Sequence, residues 1–105
     1  MKHKIEKANK YYHSIYPNDF IFYKLSQGYV AFGAEVSKLS SLLGVQLHSL
    51  YGLDCIIVTA CDFLDKTEIL NLCGMAYRAI SYFDDRGNLN IPDVDRLIEE
   101  QEIDY

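Results

Sequence analysis

The sequence predicts an α/β fold in which a mixed β-sheet is flanked by helices. Short apolar runs of strand length alternate with segments of helical periodicity along the 105 residues. Turn-forming residues separate these segments, and no internal repeat or low-complexity linker divides the chain. Chains that alternate strands and helices pack the helices against the faces of a sheet. Because the length is near the common size of one domain, we expect residues 1–105 to form a single domain.

The first elements predicted are a helix and a β-hairpin. Apolar residues at helical intervals begin at Ile5 and stop before Pro17, which disfavours helical geometry in the residue before it. Residues 20–25 and 29–32 are short, aromatic and β-branched, as buried strands are. Gly28 offers the positive φ of a tight turn between them, so we expect the two strands to be antiparallel neighbours.

The middle of the chain predicts a helix followed by two strands. Residues 34–43 carry apolar side chains at helical intervals, and Gly44 stands where a left-handed C-terminal cap is expected. A short strand is predicted at 45–48 and a loop at 50–52. Residues 55–59 form the most continuous β-branched run of the chain, which is typical of a strand covered on both faces.

The last part of the chain predicts another helix and more strand. Asp65, with Glu68 three residues later, has the spacing of a capping box, so we expect the third helix to begin there and to end at Gly74. The remaining predicted elements are a strand at 76–83, a turn at 84–88, an edge strand at 89–91 and a final acidic helix at 93–105.

Residue types exclude several kinds of site. Cys55, Cys61 and Cys73 are odd in number and lack the spacing of a metal or redox motif, so we expect free, small core residues in a reduced, cytoplasmic protein. No apolar run reaches the roughly 18 residues that a membrane span requires, so no membrane partner is expected. The glycines do not cluster into a phosphate loop and the histidines are isolated, so we expect no cofactor and no metal.

Charge is distributed unevenly along the chain. Residues 1–92 carry nine basic and nine acidic side chains, whereas residues 93–105 carry six acidic and one basic, so the net charge of −5 belongs to the C-terminal segment. That segment favours a basic protein partner, or covers the protein's own sheet. A second local excess lies in the first helix, where a solvated helix face is the favoured interpretation. It consists of Lys2, Lys4, Lys7 and Lys10 against Glu6.

The order of these elements carries one family resemblance. A tyrosine-bearing helix leads through Tyr16-Pro17 to the strand, turn and strand of residues 20–33, and Leu42-Leu43-Gly44-Val45 then ends an acidic helix. In this pattern, Tyr12 through Phe83 resembles the N-terminal, mismatch-recognition domain of MutS-type DNA mismatch repair proteins, over roughly two-thirds of the chain. The resemblance implies a DNA-associated recognition or accessory module without catalytic activity of its own.

The residues that read a mismatch in that family differ here. A phenylalanine of the second strand wedges beside the mispaired base, and a glutamate two residues later hydrogen-bonds that base. Those positions align to Gly28, which has no side chain to insert, and to Val30, which has no hydrogen-bonding group. If the alignment is shifted by one residue, Tyr29 becomes the wedge. The resemblance therefore implies weak, salt-dependent DNA binding without true mismatch reading, at the candidate contacts Lys24, Gln27, Gly28, Tyr29 and Val30. The favoured alternative for Tyr29 is packing within the sheet.

Two other functions stay open. A protein–protein interaction module is the second hypothesis, since tyrosine is enriched in interfaces and the chain has nine. A metal-dependent nuclease is the third, because such sites cluster carboxylates with a lysine. Its candidates are Asp54, Asp62, Asp65 and Glu68 with Lys66, and capping already explains Asp65 and Glu68.

Overall fold

The computed structural model describes residues 2–24 and 28–80, which form three helices and five strands. The helices are α1 (Lys2–Ile15), α2 (Val36–Leu43) and α3 (Phe63–Leu72). The strands are β1 (Asp19–Lys24), β2 (Gly28–Phe32), β3 (Leu47–Leu50), β4 (Leu53–Thr59) and β5 (Ala76–Ile80). The predicted α/β fold is confirmed. The predicted elements 84–88, 89–91 and 93–105, and the last three residues of 76–83, lie outside the described residues.

The five strands form one mixed sheet in the order β3-β4-β2-β1-β5. β1 and β5 are parallel, and the other neighbours are antiparallel. The predicted hairpin is confirmed, with Tyr23 opposite Val30 and Lys24 opposite Tyr29. β4 lies between β3 and β2 with its centre buried on both faces, as its β-branched run predicts.

Helices cover both faces of this sheet, which gives a three-layer arrangement. On one face, Ile5 and Ala8 of α1 pack with Tyr23, Phe32 and other inward side chains of the strands. On the other face, α2 and α3 pack against Phe22, Ala31, Ile56 and Val58. We call these the α1 layer and the α2/α3 layer. Successive strand residues alternate between the two, as the pleat of a strand requires.

The end of α2 explains why β3 begins later than predicted. Gly44 has φ 66° and ψ 33°, so the predicted left-handed cap is confirmed. The Val45 backbone N–H donates to the Ser40 carbonyl at 3.2 Å, and the Ser40 hydroxyl donates to the Val45 carbonyl at 2.6 Å. Because Val45 takes part in closing the helix, β3 starts at Leu47 instead of at residue 45.

The predicted loop 50–52 is a two-residue hairpin turn. Leu50 pairs with Leu53 across β3 and β4. Between them Tyr51 has φ 55° and Gly52 has φ 75°. Positive φ at both positions is the pattern of the tight turns whose twist matches that of flanking antiparallel strands.

One predicted local signal is wrong. The capping box at Asp65 is not formed, because α3 begins at Phe63 and Asp62 is its N-cap, without a side-chain cap hydrogen bond. Phe63 is 6% exposed and packs in the α2/α3 layer, so burial of this ring, rather than the carboxylates, sets the start of the helix. Gly28 belongs to β2 and pairs with Thr59.

Candidate nucleic-acid interface

The predicted contact residues lie at the end of the sheet where β1 turns into β2. Lys24 is the last residue of β1 and is exposed, whereas Gly28 is the first of β2 and is buried. Gln27 lies outside the described residues. Lys24 therefore places a charged side chain on the surface at this end of the hairpin.

Tyr29 and Val30 point to opposite faces of the sheet. Val30 is fully buried in the α1 layer, so its side chain does not reach the surface. Tyr29 lies opposite Lys24 and stacks on Phe63, with ring centroids 3.6 Å apart and planes inclined by 14°. Tyr29 therefore packs against the start of α3, as the alternative interpretation expects, and Phe63 covers one face of its ring.

A stronger positive surface lies on the outer side of α1. Lys4, Lys7 and Lys10 are all exposed, and residues three apart are neighbours on a helix surface. Tyr11, 60% exposed, follows Lys10. We call Lys4, Lys7, Lys10 and Tyr11 the basic face. Ile5 and Ala8 occupy the opposite side of the helix and are buried against the sheet, so packing fixes which side faces outward.

A polar network that sequence analysis did not predict holds α1 in place. The Tyr23 hydroxyl donates to Asn9 Oδ1, and Asn9 Nδ2 donates to the Phe32 carbonyl at 3.1 Å. Asn9 thus joins the helix to β1 and β2. Burial, followed by the nearby Tyr12 and Glu35, raises the pKa of the Tyr23 hydroxyl well above its usual value, so this hydroxyl remains a neutral donor.

His13 extends the network to the start of α2. Its Nδ1 lies 2.8 Å from the Asn9 carbonyl, and its Nε2 lies 3.1 Å from both carboxylate oxygens of Glu35. Both partners are hydrogen-bond acceptors, so a ring nitrogen that carries a proton donates to the oxygen it faces. His13 lies in the last turn of α1, so these contacts join the end of that helix to the start of α2.

A pocket of about 350 Å³ opens beside this network. Its polar lining consists of Asn9, Lys10, His13 and Glu35. Gly33 at its edge has φ 106°, and a Cβ built there would lie 3.3 Å from Asn9 Nδ2. Glycine at this position therefore allows Asn9 to approach the end of β2.

Arg78 ties the C-terminal end of α1 to β5. Its guanidinium lies over the Tyr16 ring at 4.4 Å, and its Nε donates to Asp19 at 2.9 Å. Cation–π and ion-pair contacts at an exposed site each contribute modestly. These contacts hold the Arg78 guanidinium against Tyr16 and Asp19.

The structure separates Asp54 from the other nuclease candidates, which lie in or directly before α3. Asp54 is near the start of β4 and Asp62 follows its end, so roughly 16 Å of strand separates them. The Lys66 ammonium donates to the Leu43 carbonyl at 3.0 Å, where it closes the end of α2. Within residues 2–24 and 28–80, no group of three or more histidine, cysteine or acidic side chains has the geometry to hold a metal ion.

The outer side of α3 differs from α1 in character. Leu64 and Leu72 are 78% and 82% exposed, beside the exposed carboxylates Asp62, Asp65 and Glu68.

The prediction that all three cysteines lie in or near the core is correct for Cys55 and wrong for Cys61 and Cys73. Cys61 and Cys73 are exposed because they flank the two ends of α3.

Neither a family model nor a curated protein sequence matches the chain. Within the described part of the chain, no helix combines the length and the apolar character that crossing a membrane requires.

Proposed function

We propose that this chain is a non-catalytic, DNA-associated accessory module that contacts the phosphate backbone through the basic face of α1. The observation that carries the proposal is the outward display of Lys4, Lys7 and Lys10 on a helix whose other side is fixed to the sheet. Lysines that neutralise phosphates release counterions, which supplies most sequence-independent affinity. The exposed Tyr11 adds a ring on which an unpaired base can stack.

The resemblance to the MutS recognition domain supports association with DNA but not mismatch reading. The described elements follow the order that the resemblance implies, from the tyrosine-bearing helix to the strand after the third helix. The positions aligned to the wedge and to the glutamate are Gly28 and Val30, and both are buried. Lys24 and the free edge of Tyr29 form a smaller, second contact at the hairpin end.

Three free cysteines, two of them exposed, support placing the protein in the reducing cytoplasm.

Salt-dependent binding tests this proposal. Fluorescence anisotropy would compare single-stranded DNA, a mismatched duplex and a matched duplex over a series of salt concentrations. Each phosphate contact contributes about 0.7 to the slope of log affinity against log salt for a single strand, so replacing Lys4, Lys7 and Lys10 by glutamine should reduce the slope by about 2. The mismatched and matched duplexes should bind alike.

A matched control comes from the opposite layer. Lys38 of α2 is exposed like Lys7, but it lies on the other side of the sheet. Lys7→Gln should weaken binding, while Lys38→Gln should leave it unchanged. Lys24→Gln should have a smaller effect than Lys7→Gln. Absence of binding at low salt, or equal weakening by Lys38→Gln, would contradict the proposal.

A protein-interaction module is the second candidate, and the exposed leucines of α3 favour it. Leu64 and Leu72 leave most of their apolar surface in water. If this side of α3 binds a second copy, sedimentation should show association that increases with concentration and disappears in Leu64→Ser/Leu72→Ser. A monomer at all concentrations would exclude self-association through α3.

A further inference from the structure

We infer that the acidic segment 93–105 binds the basic face of α1 in the same molecule and competes there with nucleic acid. The competition rests on the function proposed above, but the docking itself does not. The occupant is this chain's own segment, and two observations favour α1 over α3: charge, and the layer that the last described side chain faces. Exposed apolar side chains on α1 add to the contact.

Charge complementarity selects α1. The segment carries six acidic residues and one basic residue, and α1 carries four lysines against one glutamate. The exposed side of α3 presents Asp62, Asp65 and Glu68, and Lys66 there is already bonded to Leu43. An acidic segment is therefore attracted to α1 and repelled by α3. Such forces act within a Debye length of about 8 Å at physiological salt, so the contact should be sensitive to salt.

The last described residue, Ile80, ends β5 with its side chain facing the α1 layer. Ile80 is opposite Tyr23 on β1 and packs against the buried cluster of the α1 layer. Residues 81–92 connect it to the acidic segment. Twelve residues span at most about 40 Å, which exceeds the 36 Å longest dimension of the described part. The connection is therefore long enough to reach any part of α1.

Apolar side chains are available on both partners. Tyr11 is 60% exposed and Ile15 is 46% exposed on the outer side of α1. The acidic segment contains Val94, Leu97 and Ile98 among its carboxylates. Contact between these side chains would remove apolar surface from water in addition to pairing the charges. Lys7 and Lys10 would then be covered when DNA approaches.

Zero-length cross-linking of the full chain tests the docking without any nucleic acid. A carbodiimide activates a carboxylate, which forms an amide with a lysine amine in contact, with loss of the activating group as the urea. We expect cross-links from Lys7 and Lys10 to Glu99, Glu100 or Glu102 at low salt and few at about 0.5 M salt, where the Debye length is below 8 Å. Lys38 is the matched control, since it is equally exposed on the opposite layer.

Three cross-linking results would overturn the inference. They are no cross-link to α1, equal cross-linking of Lys38, and cross-links that join only two different molecules. The last result is recognised by mixing isotopically labelled and unlabelled protein, and it would assign the segment to a second copy.

A full-length variant with Glu99, Glu100 and Glu102 changed to glutamine tests the competition. If the segment covers the basic face in nine molecules out of ten, the apparent affinity for single-stranded DNA is reduced about tenfold, and the variant should recover that factor. Glu68→Gln, exposed on α3, should recover nothing. Cross-links without DNA binding in any variant would reject the proposed function and keep the docking. DNA binding that the variant leaves unchanged, without cross-links, would reject the docking and keep the function.

Discussion

The two layers that cover the sheet are held by different interactions. α1 buries only Ile5 and Ala8 of its 14 residues, and a polar network through Asn9 and His13 joins it to the strands and to α2. α2 buries three of eight residues, all apolar, and α3 adds Phe63 and Leu70. The α1 layer is therefore positioned by directional bonds, and the α2/α3 layer by the removal of apolar surface from water.

Surface charge follows the same division. α1 displays lysines, and the outer side of α3 displays carboxylates and two exposed leucines. A helix that buries little apolar surface exposes most of its residues to solvent. In α1 many of these exposed residues are lysines. The position of the α1 layer therefore depends on a few identifiable hydrogen bonds, and its outer side is the surface proposed for DNA contact.

The largest expected effect is in the α2/α3 layer. Phe22 is completely buried, and its ring meets Phe63 and Tyr77 edge to face. Phe22→Ala removes this packing and leaves a cavity, so it should lower the free energy of unfolding by about 3–5 kcal/mol. Urea denaturation followed by circular dichroism measures the loss.

The control for Phe22 is an apolar residue of the same layer outside the core. Leu64 is 78% exposed, so Leu64→Ala should change the unfolding free energy by less than about 0.5 kcal/mol. Similar losses in the two variants would show that apolar burial does not hold this layer.

The sequence predicted most of the fold because its signals are local. The hairpin of β1 and β2, the cap at Gly44 and the interior position of β4 all follow from residues close together in the chain. The errors arose where a distant contact overrides a local pattern. Phe63 draws the start of α3 away from the predicted position at Asp65 because its ring packs on Tyr29.

The candidate site was much less predictable. The lysines of α1 are visible in the sequence, but their exposure depends on which side of the helix meets the sheet. The network of Asn9, His13, Tyr23 and Glu35 joins residues up to 22 positions apart and has no spacing motif. An asparagine and a histidine four residues apart on the sheet-facing flank of a helix were the only available signal.

An intermediate effect is expected in the α1 layer. Asn9→Ala leaves the Phe32 carbonyl without its side-chain donor and removes the acceptor of the Tyr23 hydroxyl. Loss of partners at buried polar groups costs about 1–3 kcal/mol, so the unfolding free energy should fall by that amount. A double-mutant cycle with Tyr23→Phe isolates the shared bond, and the double variant should lose less than the sum of the single losses. Strict additivity would show that the Tyr23–Asn9 bond does not stabilise the protein.

The smallest effect is expected at the His13–Glu35 pair, and Cys55 provides a sensitive measurement of it. Cys55 is completely buried in the α1 layer, and burial, with a smaller effect of Asp54, raises the pKa of its thiol to about 12. At pH 8 a thiol reagent should therefore reach Cys55 only when α1 has moved away. The measurement is made in a Cys61→Ser/Cys73→Ser background, because both of those thiols are exposed.

Glu35→Gln keeps the shape of the side chain but removes its charge, and the pair is partly exposed, with side chains 32% and 23% accessible. The loss should be about 1 kcal/mol or less. If opening of α1 precedes labelling, that loss accelerates the reaction of Cys55 by up to about fivefold. Glu68→Gln, on the exposed side of α3, should leave the labelling rate unchanged. Equal acceleration by both variants would show that loss of the His13–Glu35 pair is not what exposes Cys55.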